Sequence, residues 1–170
     1  MRPTATMPQQ MSEVSFTGLV GHNQKGIGLH LDNSVAGGGI CTNRFEGTDI
    51  SGFDIGINVS DAAAKCDTNW FWASYIRMCN TCIWEHGLMT DSNIWNVNVD
   101  ASIPNSVAVR TGATYGRWTI IIGVFAGKSV TKGILIDSGA SYNTFEVPVR
   151  ADQWVLQNNS GNTTNKFILN

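Results

Sequence analysis

Polar and apolar positions along this chain recur together. A polar residue, asparagine in all but one instance, recurs at intervals of 22 to 26 residues, and two places after it stands an aromatic residue in all but that same instance. The series reads Asn43-Arg44-Phe45, Asn69-Trp70-Phe71, Asn93-Ile94-Trp95, Arg117-Trp118-Thr119, Asn143-Thr144-Phe145 and Asn165-Lys166-Phe167. Fourteen places after Asn43, Asn69 and Asn93 come Ile57, Ile83 and Val107, and two further on Val59, Glu85 and Val109. The Arg117 repeat carries the same feature three residues late, as Ile134 and Ile136. Each repeat thus predicts two short strands bounded by Gly, Asp, Ser or Asn. Self-similarity at such a period signals a repeat architecture.

A sandwich, a propeller and a solenoid all repeat strands. The unit is too short for a propeller blade of roughly 40 residues. Asn-Gly and Asp-Gly, the two-residue hairpin turns, are absent, which weakens the antiparallel options. The expectation is therefore an all-β chain, a parallel solenoid of about six coils over residues 14–170. Residues 1–13, polar and with Pro3 and Pro8, form an arm or cap. Each coil then lies over its predecessor, the asparagines stack as an amide ladder, and the rings at 45, 71, 95, 145 and 167 stack inside it. Asparagine also tolerates left-handed backbone at a sharp corner. Arg117 and Thr119 break both columns, so that coil is expected to depart locally. Phe167-Ile168-Leu169-Asn170 starts a coil and stops, which calls for a covering partner or a longer native chain.

Composition removes several function classes. Only 14% of residues are charged and the net charge is −2, with no basic run to capture nucleic acid. No apolar stretch approaches the roughly 20 residues that span a bilayer, and the start lacks the apolar core of a signal peptide. Cys79-Asn80-Thr81-Cys82 is a CxxC, but no second pair follows at zinc-finger spacing, and His22, His30 and His86 are scattered. No metal and no cofactor are expected. The cysteines read as small buried thiols, with Cys41 and Cys66 one repeat apart and able to stack.

The Asn-x-Phe corners, with the run Gly133-Ile134-Leu135-Ile136-Asp137-Ser138-Gly139-Ala140-Ser141-Tyr142-Asn143-Thr144-Phe145, resemble the single-stranded right-handed parallel β-helix proteins of the pectin-lyase-like group. Within that group the likeness is to segments of bacteriophage tailspikes and other virion appendages. The resemblance implies a homotrimer in the virion, in contact with other virion proteins, that binds and often cleaves bacterial surface polysaccharide. This chain is shorter than such enzymes. A binding or structural appendage is therefore preferred to a polysaccharide depolymerase, with a capsid decoration protein as a third reading.

Candidate chemistry lies on outward columns. Ser60, His86 and Arg110 stand seventeen places after their asparagines, and Asp137 joins them after the three-residue correction. Asp137 and Glu85, about two coils apart, would approach the ~5–9.5 Å that separates glycosidase carboxyls if both face out. Glu85 sits in an otherwise apolar column. A one-residue slip would turn it out and Cys82, Trp84 and His86 in; the alternatives are a paired or interfacial glutamate and a catalytic acid. The rarity of buried lone charges favours the slip. A second column holds Asp49, Tyr75 and Val99, and a third Glu46, Trp72, Asn96, Ile120 and Glu146. Trp72, Tyr75 and Arg77 share one strand. With Asp49, His86 and Arg110 they are the expected binding residues, since exposed rings beside acids suit a sugar. A subunit interface is enriched in the same types.

Overall fold

A computed structural model of the chain describes residues 8–10, 14–31, 39–41, 43–59, 65–67, 69–85, 90–91, 93–100, 103–112, 117–123, 132–147 and 156–169. Every regular element among them is a strand. The chain runs β1 (Pro8–Gln10), β2 (Val14–Phe16), β3 (Leu19–Val20) and β4 (Ile27–Leu31). It continues through β5 (Gly39–Cys41), β6 (Arg44–Ser51) and β7 (Ile55–Val59), then β8 (Lys65–Asp67), β9 (Trp70–Arg77) and β10 (Thr81–Glu85). Next come β11 (Thr90–Asp91), β12 (Ile94–Asp100) and β13 (Val107–Thr111). The last are β14 (Arg117–Gly123), β15 (Lys132–Ile136), β16 (Thr144–Val147), β17 (Leu156–Asn158) and β18 (Lys166–Leu169).

All pairings are parallel, and each strand pairs with its counterpart one turn away. Sheet A is ordered β1-β5-β8-β11, sheet B β18-β16-β14-β12-β9-β6-β2 with β3 also on β6, and sheet C β17-β15-β13-β10-β7-β4. The fold is a parallel β-solenoid. Three turns, 39–59, 65–85 and 90–111, lay one continuous strand on every sheet. The turn before them splits its sheet B strand, and the described residues after Thr111 add strands to sheets B and C alone. The expectation of about six coils is corrected accordingly: the described residues carry about three turns with one continuous strand on every sheet. Pro8–Gln10, inside the expected arm, is the edge strand of sheet A.

Stacked rings fill the core. Phe45 lies 5.0 Å from Phe71, and Phe71 3.9 Å from Trp95, with planes within 11° of parallel. Phe145 and Phe167 repeat the arrangement at 5.2 Å. Burying each ring contributes about 1.5–3 kcal/mol, and stacking adds about 0.5–1.5 kcal/mol per pair. Beside the rings runs the amide ladder. Asn69 Oδ1 accepts from both the backbone N–H and the side-chain amide of Asn43, at 3.1 and 2.9 Å, and Asn93 Oδ1 does the same for Asn69. Asn143 and Asn165 form a second segment. None of these asparagines has positive φ. The left-handed corner expected of them is therefore not their role; the amide is.

The register corrects four of the alignments read from sequence. Trp118, not Thr119, pairs with Trp95, and Arg117 with Ile94, so Arg117 stands one place past the ladder position. Thr119, not Ile120, follows Asn96 in its column. In sheet C, Val109 rather than Val107 pairs with Ile83, and Thr111 with Glu85. Cys66 pairs with Ile40 while Cys41 pairs with Asp67, so these two cysteines are not stacked in register.

Candidate functional site

The outer face of sheet B is where exposed rings and charge meet. Strict alternation along β9 would turn Trp72 out and Tyr75 in, yet both are exposed, at 41% and 47%. A β-bulge accounts for this. Ala73 pairs with Val97 and Ile76 with Val99, so Ser74 and Tyr75 together oppose Asn98. The extra residue restores Ile76 to the core and sends Tyr75 and Arg77 outward. Strand β6 carries the same extra residue, because Gly47, Asp49 and Ile50 pair with Ala73, Tyr75 and Ile76 without a shift. Bulges re-aim side chains in this way. Val99 is consequently a core residue opposite Ile76, and not a member of the Asp49–Tyr75 column.

Each ring has a charged pair beside it. Arg77 donates to both carboxylate oxygens of Asp49, at 3.1 Å from Nε and 2.7 Å from Nη2, across the two strands. That bond and the Asp49 charge hold the guanidinium pKa above its ordinary value. Arg44 lies over the Trp72 ring with its guanidinium carbon 4.2 Å from the centroid, and pairs with Glu46. Sequence reasoning missed Arg44 as a site residue. Its signal was parity: two places before Glu46, it shares the outward side with the Glu46–Trp72 pair.

Sheet C carries a second constellation. The Arg110 guanidinium carbon sits 4.2 Å from the Trp84 ring centroid, and Arg110 Nε donates to Asp137 at 2.9 and 3.2 Å. The expected column of Ser60, His86, Arg110 and Asp137 is only partly realised. Arg110 pairs with Trp84 in register, and the Asp137 N–H bonds Thr111 O, two residues on from the Arg110 position. The side chains of Arg110 and Asp137 nevertheless meet. Ser60 and His86 lie outside the described residues. Trp84, which the slip would have buried, is half-buried on the outer side of its strand.

Glu85 is fully buried, which overturns the slip that would have turned it outward. Its column is Leu31, Val59, Glu85, Thr111, Ile136 and Asn158. Asn93 Nδ2 donates to its Oε1 at 2.7 Å, and the side chains of Trp95 and Thr111 also favour its charged form. Burial prevails over these bonds and pushes the pKa from 4.5 to about 7. Glu85 and Asp137 are therefore not brought together on one surface: one faces the core and the other an arginine at the rim.

At the corner between sheets B and C, Cys79 and Cys82 are free and buried, as expected of small core thiols. Their shared hydrogen bond and burial push the Cys82 thiol well up. The same bond, with backbone N–H groups at Phe53 and Gly52, holds Cys79 down. Among the described residues no group of His, Cys, Asp and Glu has the arrangement to hold a metal ion, and no helix is long and apolar enough to cross a membrane.

Comparison with known proteins finds no matching family model, no matching curated protein and no matching solved structure.

Proposed function

We propose that this chain is a glycan-binding β-solenoid, a tailspike-like or tail-fibre-like appendage of a virion. In this reading it assembles as a homotrimer with other virion proteins and holds bacterial surface polysaccharide on the outer face of sheet B. Right-handed coiling, the general preference of parallel crossovers, belongs to the same reading. One observation carries the proposal: Trp72 and Tyr75 are both exposed on β9, each with an arginine–carboxylate pair alongside. Flat rings pack against pyranose faces, and carboxylates and guanidinium N–H groups take up hydroxyls. Binding is preferred to depolymerisation because the Glu85 carboxyl is in the core and Asp137 is occupied by Arg110.

The test is retention on immobilised capsular and O-antigen polysaccharides. Retention that falls about tenfold or more in Trp72→Ala supports the proposal, and retention indifferent to that change sinks it. A reducing-end assay on the same glycans addresses the depolymerase reading. Product formation that disappears in Glu85→Gln or Asp137→Asn would replace binding with catalysis as the primary role. Light scattering tests the trimer, which a clean monomer would exclude.

A further inference from the structure

We infer that the outer face of β6 and β9 holds two tandem subsites for a neutral, unbranched glycan lying along the strands, across the solenoid rather than along its axis. The inference rests on the glycan-binding reading and specifies its ligand. Within this surface the same set of groups occurs twice. One set is Trp72 with Arg44 and Glu46; the other is Tyr75 with Arg77 and Asp49. Glu46 pairs with Trp72 in register, and Asp49 with Tyr75, so in each set β6 supplies the acid and β9 the ring.

Spacing sets the ligand's direction. Trp72 and Tyr75 are three residues apart on one strand, about 7–10 Å once the bulge between them shortens the rise of an extended chain. That is roughly the length of two linked pyranose rings. A linear glycan that presents equivalent faces at alternate residues would meet an aromatic ring twice. In register along the solenoid axis, by contrast, Trp72 is followed by Asn96, Thr119 and Glu146. No aromatic residue follows it there, so a chain running that way would find one platform.

Charge sets the class. Each guanidinium is already neutralised by a carboxylate of this chain, and Arg44 closes one face of the Trp72 indole, fixing the ring. A uronate or sulfate would have to displace Asp49 or Glu46 and would then face those like charges. Neutral hydroxyls need no displacement; they bridge the free edges of pairs already in place.

The test uses the full chain and soluble oligosaccharides from monosaccharide to hexasaccharide. These are the neutral gluco-, N-acetylglucosamine and manno-series in β-1,4 linkage, and the acidic oligoglucuronate series. Binding is followed by titration calorimetry and by the NMR shifts of the Trp72 indole N–H. In a neutral series, affinity should rise about tenfold between disaccharide and trisaccharide, the first length that spans both rings. Tyr75→Ala should abolish that rise, and Tyr75→Phe should keep it. Binding independent of length, indifference to Tyr75→Ala, preference for the acidic series, or no binding in any neutral series would each overturn the tandem arrangement. Retention on immobilised polysaccharide that still depends on Trp72 would leave the glycan-binding reading standing without it. If Trp72→Ala and Tyr75→Ala instead convert an oligomer to monomer with glycan affinity unchanged, the face is a subunit interface and both readings fall. Both side chains are more than two-fifths exposed, and circular dichroism confirms that the variants fold.

Discussion

Asn93 Nδ2 donates to Glu85 Oε1 at 2.7 Å, inside the core and within a single turn. Its counterparts Asn43 and Asn69 donate instead to the asparagine one turn ahead. A ladder of this kind needs an acceptor at its end, because an unsatisfied buried donor costs about 1–3 kcal/mol. Glu85 supplies it. The buried acid thus does for Asn93 Nδ2 what the next asparagine does for Asn43 and Asn69.

This relationship has a pH signature. The folded pKa of Glu85 is about 7 against 4.5 for the free side chain, so between those values the folded state binds more protons than the unfolded one. Stability contributed by the protonated acid is complete below about 4.5 and is lost as pH rises towards 7. The loss is on the order of 3 kcal/mol at most, and the curve is level above that range. Glu85→Gln keeps an oxygen for Asn93 and has no proton to lose. Urea midpoints measured from pH 4 to 8 should therefore diverge, with the variant the more stable near pH 8. Parallel curves would mean that Glu85 does not titrate in this window.

Within the ladder, position decides cost. Asn69 accepts from the Asn43 backbone and amide and donates to Asn93, so Asn69→Ala strands groups in two neighbouring turns. The expected loss is about 3 kcal/mol. Asn165 accepts from Asn143 and donates to Ala140 O and Ser160 Oγ, with some exposure to water. Asn165→Ala should cost about 1 kcal/mol, since water can take over part of its role. Equal losses in chemical denaturation would show that the ladder does not act as a chain.

The ladder and the ring column were legible in the sequence because both repeat at one position per turn. Register within a turn was not. A single residue more or less in a loop leaves the alternation intact on either side, so Arg117-Trp118-Thr119 could be laid one place off. Val107 stood in for Val109 because a two-residue error preserves parity. The bulge at Ser74–Tyr75 has no marker in a chain read alone; it appears only when Val97 and Val99 are paired across to β9. Glu85 was placed inward by strict register and then turned outward on the rarity of buried lone carboxylates. The sequence carries no signal that Asn93 donates to this carboxylate. Of the expected surface, Asp49 beside Tyr75, and Trp72 and Arg77 on the same strand as Tyr75, could be read; the Asp49–Arg77 pair could not. The arginine–ring contacts could not: Arg44 reaches Trp72 from opposite Trp70, two places off, and Arg110 meets Trp84 in a register two places from the one that aligns it with His86.

Met78 offers a gain in stability. It follows Arg77 at the sheet B corner with φ +52°, where the preceding turn has Gly52 at φ +77°. A non-glycine residue in this region costs about 1–2 kcal/mol, and Met78 is half-exposed, so little packing opposes its replacement. Part of the gain is offset by the greater freedom of glycine in the unfolded chain. Met78→Gly should therefore raise stability by about 0.5–1 kcal/mol, read as a higher melting temperature. A lower one would assign Met78 a packing role that outweighs its backbone.

Gly47 and Phe16 test the coupling between turns. They pair in register on β2 and β6, and a Cβ at Gly47 would lie 2.2 Å from Phe16 Cε2. The ring occupies the space a side chain would need, so Gly47→Ala must displace Phe16 from its packing against the core. Overpacking of this kind costs about 1–3 kcal/mol. Phe16→Ala removes the obstacle at the expense of its own buried area. If the clash is the cause, the double variant should be less destabilised than the sum of the two by at least about 1 kcal/mol. Strict additivity would place the cost of Gly47→Ala in the strand backbone. The geometry argues otherwise, because the three nearest atoms all belong to that ring.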